Sequence, residues 1–275
     1  MSAPSGVGRR IGNWALAAWF VLVVLFLFAP IATSIIYSFN LGALGKQSSV
    51  FTGWTAQWFA EAWNNVSLRR AIGISLVSSF WAALLAVIIG TSLGFALVRH
   101  PNPTARRALS GLTYILLIVP ETVIGVSMLL FYAVTGFRLS LWTLVAGITP
   151  PAIAVTALIV RAAVLTLDRR LEDAAADLGA GRWKTIWFVV LPHLAPAVAA
   201  GALMSYVFSF DSLVIPSFLT TPQINTLSVY LYGSLQYGPS PAVYAAATSV
   251  FVFTIALVGI AGLLYLIVLR RGTKN

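Results

Sequence analysis

The feature that most constrains this chain is a succession of long segments without charged residues. The first runs from Ile11 to Gly45, and its apolar part, Trp14 to Tyr37, exceeds the about 20 residues that a membrane-spanning helix needs. Five further segments of spanning length follow, with acidic residues only at Glu121 and Asp211: Ala71–Val98, Ala108–Phe137, Leu139–Val160, Leu194–Leu219 and Ala242–Leu269. The pattern predicts an all-α integral membrane protein with six transmembrane helices.

The composition supports lipid rather than water as the main solvent. Hydrophobic residues make up 59% of the chain and charged residues 9%, whereas a soluble domain is typically about a quarter charged. We predict one transmembrane domain, residues 14–269, between cytoplasmic tails at 1–13 and 270–275. The Arg9–Arg10 pair resembles the start of a signal peptide, but the apolar segment after it is too long for one. The first helix is therefore predicted to be retained.

The distribution of basic residues predicts the orientation. With six helices, 12 of the 17 Lys and Arg residues lie on the side of the N-terminus and four lie on the other side. Cytoplasmic loops carry the excess of positive charge, so both termini are predicted to be cytoplasmic. The protein itself is predicted to lie in the cell inner membrane. The net charge of +10 does not indicate nucleic-acid binding, because no long basic stripe with interleaved aromatic residues is present.

The first external loop contains three tryptophans, Trp54, Trp58 and Trp63, at near-helical spacing. They predict a short interfacial helix of the aromatic belt that lines a membrane surface. A docking surface for a periplasmic partner is the alternative, and the two interpretations are compatible.

The cytoplasmic loop from Asp168 to Pro192 (the loop 168–192) is long and has mixed charge. Alanines after Asp173 favour a helix, and Gly179 is placed to end that helix as a C-cap. A second apolar stretch then leads to Pro192. A short helix, a glycine stop and a second arm predict a rigid projection into the cytoplasm.

The pattern of this loop resembles a known motif. The loop contains Asp173-Ala174-Ala175, then Gly179 after three residues, Val189 after nine more, and Leu191-Pro192 after one more. This spacing resembles the EAA motif of binding-protein-dependent ABC importer permeases. Asp173 stands in place of the usual Glu, and Val189 in place of Ile. The resemblance implies the type I importer fold, with this segment as the coupling helix that contacts an ATPase subunit. The residues implied in that contact are Glu172, Asp173, Ala174, Ala175, Asp177, Gly179, Leu191 and Pro192.

Three further stretches are similar to the spermidine/putrescine branch of that family. Residues 119–125 resemble its IPE…G stretch, and residues 209–218 its SxDD…F stretch with Ser212 in place of the second acid. Residues 238–248 resemble its GxSPxxNAxxT stretch with Tyr244 in place of Asn. The resemblance implies a polyamine or similar small amine or cation as substrate. Because relatives in this branch also import aminophosphonates, other amines and metal complexes, those substrates stay open.

The candidate residues of the translocation path are Glu121, Tyr206, Asp211 and Ser212. Counted along straight helices from the inner face, Glu121 lies at a depth of about 18 Å and Asp211 at about 28 Å. We interpret Glu121 as architectural, because Pro120 beside it frees a backbone carbonyl, with substrate binding as the alternative. Asp211 either admits a cationic solute, pairs with a second permease or caps a helix break before Pro216.

No catalytic or cofactor motif is found in the sequence. The segment from Gly42 to Lys46 is too short between its glycines for a phosphate-binding loop. There is no cysteine, and His100 and His193 are far apart, so no metal site is predicted. The chain is thus expected not to be an enzyme, and ATP and Mg are expected in two partner ATPase subunits. The resemblance also implies a solute-binding protein, periplasmic or lipid-anchored, and a second permease that is usually a different chain.

A secondary transporter or channel that is not driven by ATP is the alternative of another class. Such proteins more often contain repeated helical halves with coupling carboxylates in both halves, and we find no such repeat. A membrane-embedded enzyme would need clusters of His, Cys or acidic residues, which the sequence lacks.

Overall fold

The computed structural model describes residues 6–42, 51–236, 241–253 and 255–256. The chain divides into two compact units, one of Met1–Val66 with Gly233–Asn275 and one of Ser67–Tyr232. The stretch that resembles GxSPxxNAxxT, residues 238–248, is described from residue 241 onwards. The end of the sixth predicted span and the predicted tail 270–275 lie outside the described residues.

The described chain is helical, apart from isolated bridges that pair Asn40 with Trp54 and Thr221 with Ile224. A π-helical turn, Ile186–Val190, joins the helix Arg182–Thr185 to the helix Leu191–Asp211. The helices are α1 (Gly6–Ser38), α2 (Gln57–Asn64), α3 (Val66–Arg99), α4 (Pro103–Ile118), α5 (Glu121–Thr135), α6 (Leu141–Thr166), α7 (Arg170–Asp177), α8 (Arg182–Thr185), α9 (Leu191–Asp211), α10 (Val214–Leu219), α11 (Leu227–Gln236) and α12 (Pro241–Phe253).

The predicted class, an all-α membrane protein, is confirmed. Within the described residues, four helical segments are long and apolar enough to cross a membrane: Asn13–Ser38, Val66–Arg99, Leu141–Thr166 and Arg182–Asp211. The number rises to five if α4 and α5 together form one bent span. The sixth predicted segment is described only over its first part, as α12.

The structure corrects the single continuous helix predicted for Ala108–Phe137, because α4 and α5 meet at an angle of 96°. Val119 is extended, with φ −61° and ψ 125°, as expected for a residue that precedes proline. Pro120 has no N–H to continue the helix and instead stands just before α5. Glu121 is therefore the first residue of a new helix, and the depth counted along one straight helix does not apply to it.

In the unit that contains the N-terminus, Asn40 organises the chain after α1. Its side chain is fully buried, and its Oδ1 accepts hydrogen bonds from the backbone N–H and the hydroxyl of Thr52, at 2.9 and 3.1 Å. The buried Trp58 indole donates to the Asn40 carbonyl at 2.9 Å. Of the three loop tryptophans, Trp58 therefore packs inside the unit, while Trp54 and Trp63 are exposed.

In the unit Ser67–Tyr232, α3, α6 and α9 pack closely through small residues. A Cβ at Gly94 of α3 would lie 2.6 Å from the Ala157 carbonyl oxygen of α6, so these two backbones are in near contact. Between α6 and α9, the Thr156 and Ser205 hydroxyls are 2.6 Å apart, and Ser205 also donates to the Ala152 carbonyl at 3.0 Å. Close approach through small residues and interhelical hydrogen bonds are typical of helices that associate in lipid.

Candidate coupling and translocation sites

The helix α7 projects most of its surface away from the rest of its unit. Ala175 is buried, whereas Asp173, Ala174, Ala176 and Asp177 are exposed. Leu178, just after the helix, is 89% exposed. The helix that the alanine-rich sequence predicted is confirmed, and it presents a small, acidic surface with one large apolar side chain at its end.

The turn after α7 is a Schellman motif. Gly179 has a φ of +80°, in the left-handed region where glycine is favoured because it has no Cβ. The Gly179 N–H donates to the Ala176 carbonyl and the Ala180 N–H to the Ala175 carbonyl, both at 2.9 Å. These are the two bonds that define the motif, so the C-cap predicted at Gly179 is confirmed.

We expect Gly179→Ala to loosen this turn. No atom lies within 4 Å of a Cβ built at Gly179, so the cost is backbone strain of about 1–2 kcal/mol, equivalent to about five- to thirtyfold faster local opening. Amide hydrogen exchange over residues 170–180 measures that opening. Gly181→Ala is the matched control, because Gly181 has φ −68° and equally open space. Equal exchange in the two variants would contradict the prediction.

The second arm of the loop 168–192 leads directly into α9. Leu191 and Pro192 are the first two residues of α9 and follow the π-helical turn without a break. The π-helical turn before them packs Val190 with Leu194, Val160 and Val164 in an apolar cluster. The end of the loop is thus anchored in the transmembrane part of the unit.

Glu172 of α7 points to another helix of the same chain. Its Oε1 lies 3.0 Å from Nη2 of Arg99, at the end of α3. In the sequence, Arg99 is only one of the 12 basic residues predicted on the side of the N-terminus. No local pattern connects residues 73 positions apart, so only the fold identifies this pair.

The structure brings Glu121 and Asp211 to the same cleft. The cleft has a volume of about 310 Å³, and its walls combine these two carboxylates with Ser212 and four apolar residues, Met204, Val207, Phe208 and Leu213. The path residues predicted from the sequence did not include these four apolar residues. Residues 204, 207, 208 and 211 repeat at the spacing of one helix face, which is the signal that could have found those on α9.

The two sequence stretches that contain these acids pack directly on each other. A Cβ at Gly125 of α5 would lie 2.6 Å from Cδ2 of Phe218 and 3.4 Å from Cα of Ile215, both on α10. Because Gly125 follows Glu121 by about one turn, and α10 follows Asp211 closely, this contact holds the two acids at one cleft.

Asp211 places a negative charge at the end of a helix and at the surface of the cleft. It is the last residue of α9, where the negative end of the helix dipole disfavours an acidic side chain. It is exposed, and no basic side chain forms an ion pair with it among the residues that the structure describes. A negative charge kept in such a position favours the approach of a cation.

The remaining path candidates have different surroundings. Ser212 is buried in the wall of the cleft, and its hydroxyl has no hydrogen-bond partner among the described residues. Tyr206 stacks on Phe210, with ring centroids 6.3 Å apart, and is not among the residues that line the cleft. In the described part of the chain, no group of three or more His, Cys, Asp or Glu side chains could hold a metal ion.

The sequence matches the family described as "Binding-protein-dependent transport system inner membrane component" over residues 84–271. This match includes the loop 168–192 and both acidic stretches. The chain belongs to this family. It is therefore a multi-pass inner-membrane permease subunit of an ABC importer, a non-catalytic component without a cofactor, and it works with ATPase subunits and a solute-binding protein.

Curated relatives of the permease are similar over almost their whole length. The "Putrescine transport system permease protein PotI" of Escherichia coli (strain K12) is 30% identical over 270 residues, which cover 94% of this chain and 92% of PotI. The "Spermidine/putrescine transport system permease protein PotC" of Haemophilus influenzae is 30% identical over 247 residues, which cover 90% of this chain and 95% of PotC.

Solved structures show the same fold. A chain of a bacterial ABC transporter involved in the import of the acidic polysaccharide alginate superimposes on the permease with a TM-score of 0.73 at 16% identity, covering 96% of this chain and 99% of that one. A chain of the MetNI methionine ABC transporter gives a TM-score of 0.60 at 20% identity, covering 71% and 92%. These likenesses support the importer permease fold alone.

Proposed function

We propose that the permease forms half of the translocation path for a putrescine-like polyamine. The observation that carries this proposal is the cleft lined by Glu121 and Asp211. Two carboxylates on one cleft complement the two ammonium groups of a diamine, and the apolar side chains of the same cleft suit its methylene chain. Acidic groups along a path attract cations and disfavour anions.

The relatives support the same substrate class. PotI is named for putrescine transport and PotC for spermidine/putrescine transport. Ser212, in place of the second acid of that branch, reduces the number of carboxylates at the cleft. This difference favours a short diamine over a longer polyamine with more charges.

The proposed topology has six spans in one permease domain, residues 14–269, with both termini in the cytoplasm. The excess of Lys and Arg on the side of the N-terminus supports this orientation. Reporter fusions at Asn275 and within the loop of Trp54 should signal opposite sides of the membrane, and the same signal from both would contradict the orientation.

In the proposed assembly, a second and different permease completes the path, two copies of an ATPase subunit bind below, and a solute-binding protein docks outside. The exposed surface of α7, with Asp173, Ala174 and Asp177, contacts the ATPase subunit. Small side chains allow close approach, and the acidic residues favour a basic groove. Closure of the ATPase subunits on ATP then moves α7 and opens the path outward as a rigid-body change.

Uptake by the assembled transporter tests this function. The permease, its partner permease, the ATPase subunits and the binding protein are reconstituted in proteoliposomes and given radiolabelled putrescine. We expect putrescine uptake to require both ATP and the binding protein. Excess spermidine should inhibit this uptake more strongly than an excess of an aminophosphonate. Uptake without ATP would favour a secondary transporter, and ATP-driven uptake of the aminophosphonate alone would contradict the polyamine assignment.

A further inference from the structure

Arg99 connects three helical segments at the cytoplasmic end of the unit Ser67–Tyr232. It is the last residue of α3. Its Nη2 lies 3.0 Å from Oε1 of Glu172 on α7 and donates a hydrogen bond of 2.9 Å to the carbonyl of Leu167, just after α6. One guanidinium therefore joins the ends of α3 and α6 to the beginning of α7.

Each of these contacts also suits the helix ends involved. Glu172 lies in the first turn of α7 and Arg99 in the last turn of α3. Each side-chain charge therefore lies at a helix end whose partial charge has the opposite sign, which is favourable. The Leu167 carbonyl is one of the groups that a helix end leaves without an intrahelical partner. The Arg99 and Glu172 side chains are only 10% and 27% exposed, which limits screening of the pair by water and salt.

The helix α7 depends on such contacts for its position. It has eight residues, too few for an isolated helix to be stable in water. Ala175 is its only buried residue, so apolar packing contributes little to holding it. The pair with Arg99 is the ion pair that ties α7 to a transmembrane helix within the described residues.

Beyond Arg99, tight packing continues through the unit to the acidic cleft. Gly90 and Gly94 place α3 in near contact with the backbone of α6, and the Thr156–Ser205 hydrogen bond joins α6 to α9. The helix α9 ends at Asp211, which lines the cleft. Packed helices of this kind move as a body rather than deform continuously.

We propose that Arg99 is a positioning residue that clamps α7 to α3 and α6. A displacement of α7 by the ATPase subunit is then passed through α3, α6 and α9 to the cleft. This inference rests on the proposed coupling role of α7, and it assigns the link from that helix to α3 and α6 to one side chain.

The test uses the complete reconstituted transporter and compares Arg99→Gln, Glu172→Gln and Arg99→Lys. We expect Arg99→Gln to assemble with the ATPase subunit but to lower the stimulation of ATP hydrolysis by the putrescine-loaded binding protein at least about fivefold. Glu172→Gln should have a smaller effect because the contact with the Leu167 carbonyl remains. Arg99→Lys should recover most of the stimulation because it keeps the charge. Arg107→Gln is the matched control, an exposed arginine on the neighbouring α4.

A second measurement follows the position of α7 directly. The chain has no cysteine, so spin labels attach only at introduced ones, at Leu178→Cys beside α7 and Ser92→Cys on α3, both exposed positions. Pulsed EPR should give a broader distance distribution with Arg99→Gln than with Arg107→Gln. An unchanged distribution, or unchanged stimulation in both Arg99→Gln and Glu172→Gln, would overturn the clamp.

Asp173→Lys separates this inference from the function on which it rests. Asp173 is exposed on α7, so its reversal of charge tests the contact with the ATPase subunit and leaves the Arg99 pair in place. Uncoupling by Asp173→Lys together with normal coupling in Arg99→Gln would overturn the clamp alone. Normal transport by an assembled Asp173→Lys transporter would overturn both the coupling role of α7 and the clamp.

Discussion

Replacement of Gly94 by valine is expected to destabilise the folded permease strongly. A Cβ at this position would lie 2.6 Å from the Ala157 carbonyl oxygen and 3.1 Å from the Arg161 backbone nitrogen. Because both atoms belong to the backbone, no change of rotamer relieves the contact and α3 must move away from α6. Over-packing of this severity costs about 3 kcal/mol or more, equivalent to a fall in Tm of roughly 6–12 °C.

Gly73→Val is the matched control for this experiment. Gly73 lies on the same helix, is exposed, and has no atom within 4 Å of an added Cβ. Both variants are purified in detergent, and size-exclusion profiles and thermal unfolding are compared with those of the unaltered protein. Similar profiles and similar Tm values for Gly94→Val and Gly73→Val would show that the spacing of α3 and α6 is not critical.

Loss of the acidic pair at the cleft is expected to have the largest effect on transport. Glu121→Gln and Asp211→Asn each keep the shape of the side chain and remove its charge. A hydrogen bond to a charged group contributes about 1.5–3 kcal/mol, so each variant should lower putrescine uptake on the order of tenfold or more. The double variant should lower uptake further, because both acids line one cleft.

The control for this pair is Glu61→Gln on α2, which removes one negative charge at an exposed position that does not line the cleft. Uptake of putrescine is measured together with the stimulation of ATP hydrolysis by the binding protein. Reduced uptake with retained stimulation would place the defect in the path rather than in coupling. Full uptake by both single variants would remove the acidic cleft as an argument for a cationic substrate.

The sequence by itself determined the membrane class, the family and the local ends of the short helix α7. Long apolar segments exclude a soluble fold, because their side chains need lipid or protein around them. The alanines after Asp173 and the glycine at position 179 define a short helix and its stop through local bonds alone, and the structure has both. Pro120 indicated a backbone carbonyl left without its helical partner, because proline has no N–H to donate.

The tertiary structure decided how far each of these local features reaches. The sequence predicted one span through Pro120, whereas the structure has a 96° angle between α4 and α5, which depends on what α5 packs against. Glu121 and Asp211 share a cleft because Gly125 lets α5 lie against α10. Likewise, Arg99 meets Glu172 because α3 and α6 end together. Such contacts join residues tens of positions apart, and their free energy depends on packing rather than on any local pattern.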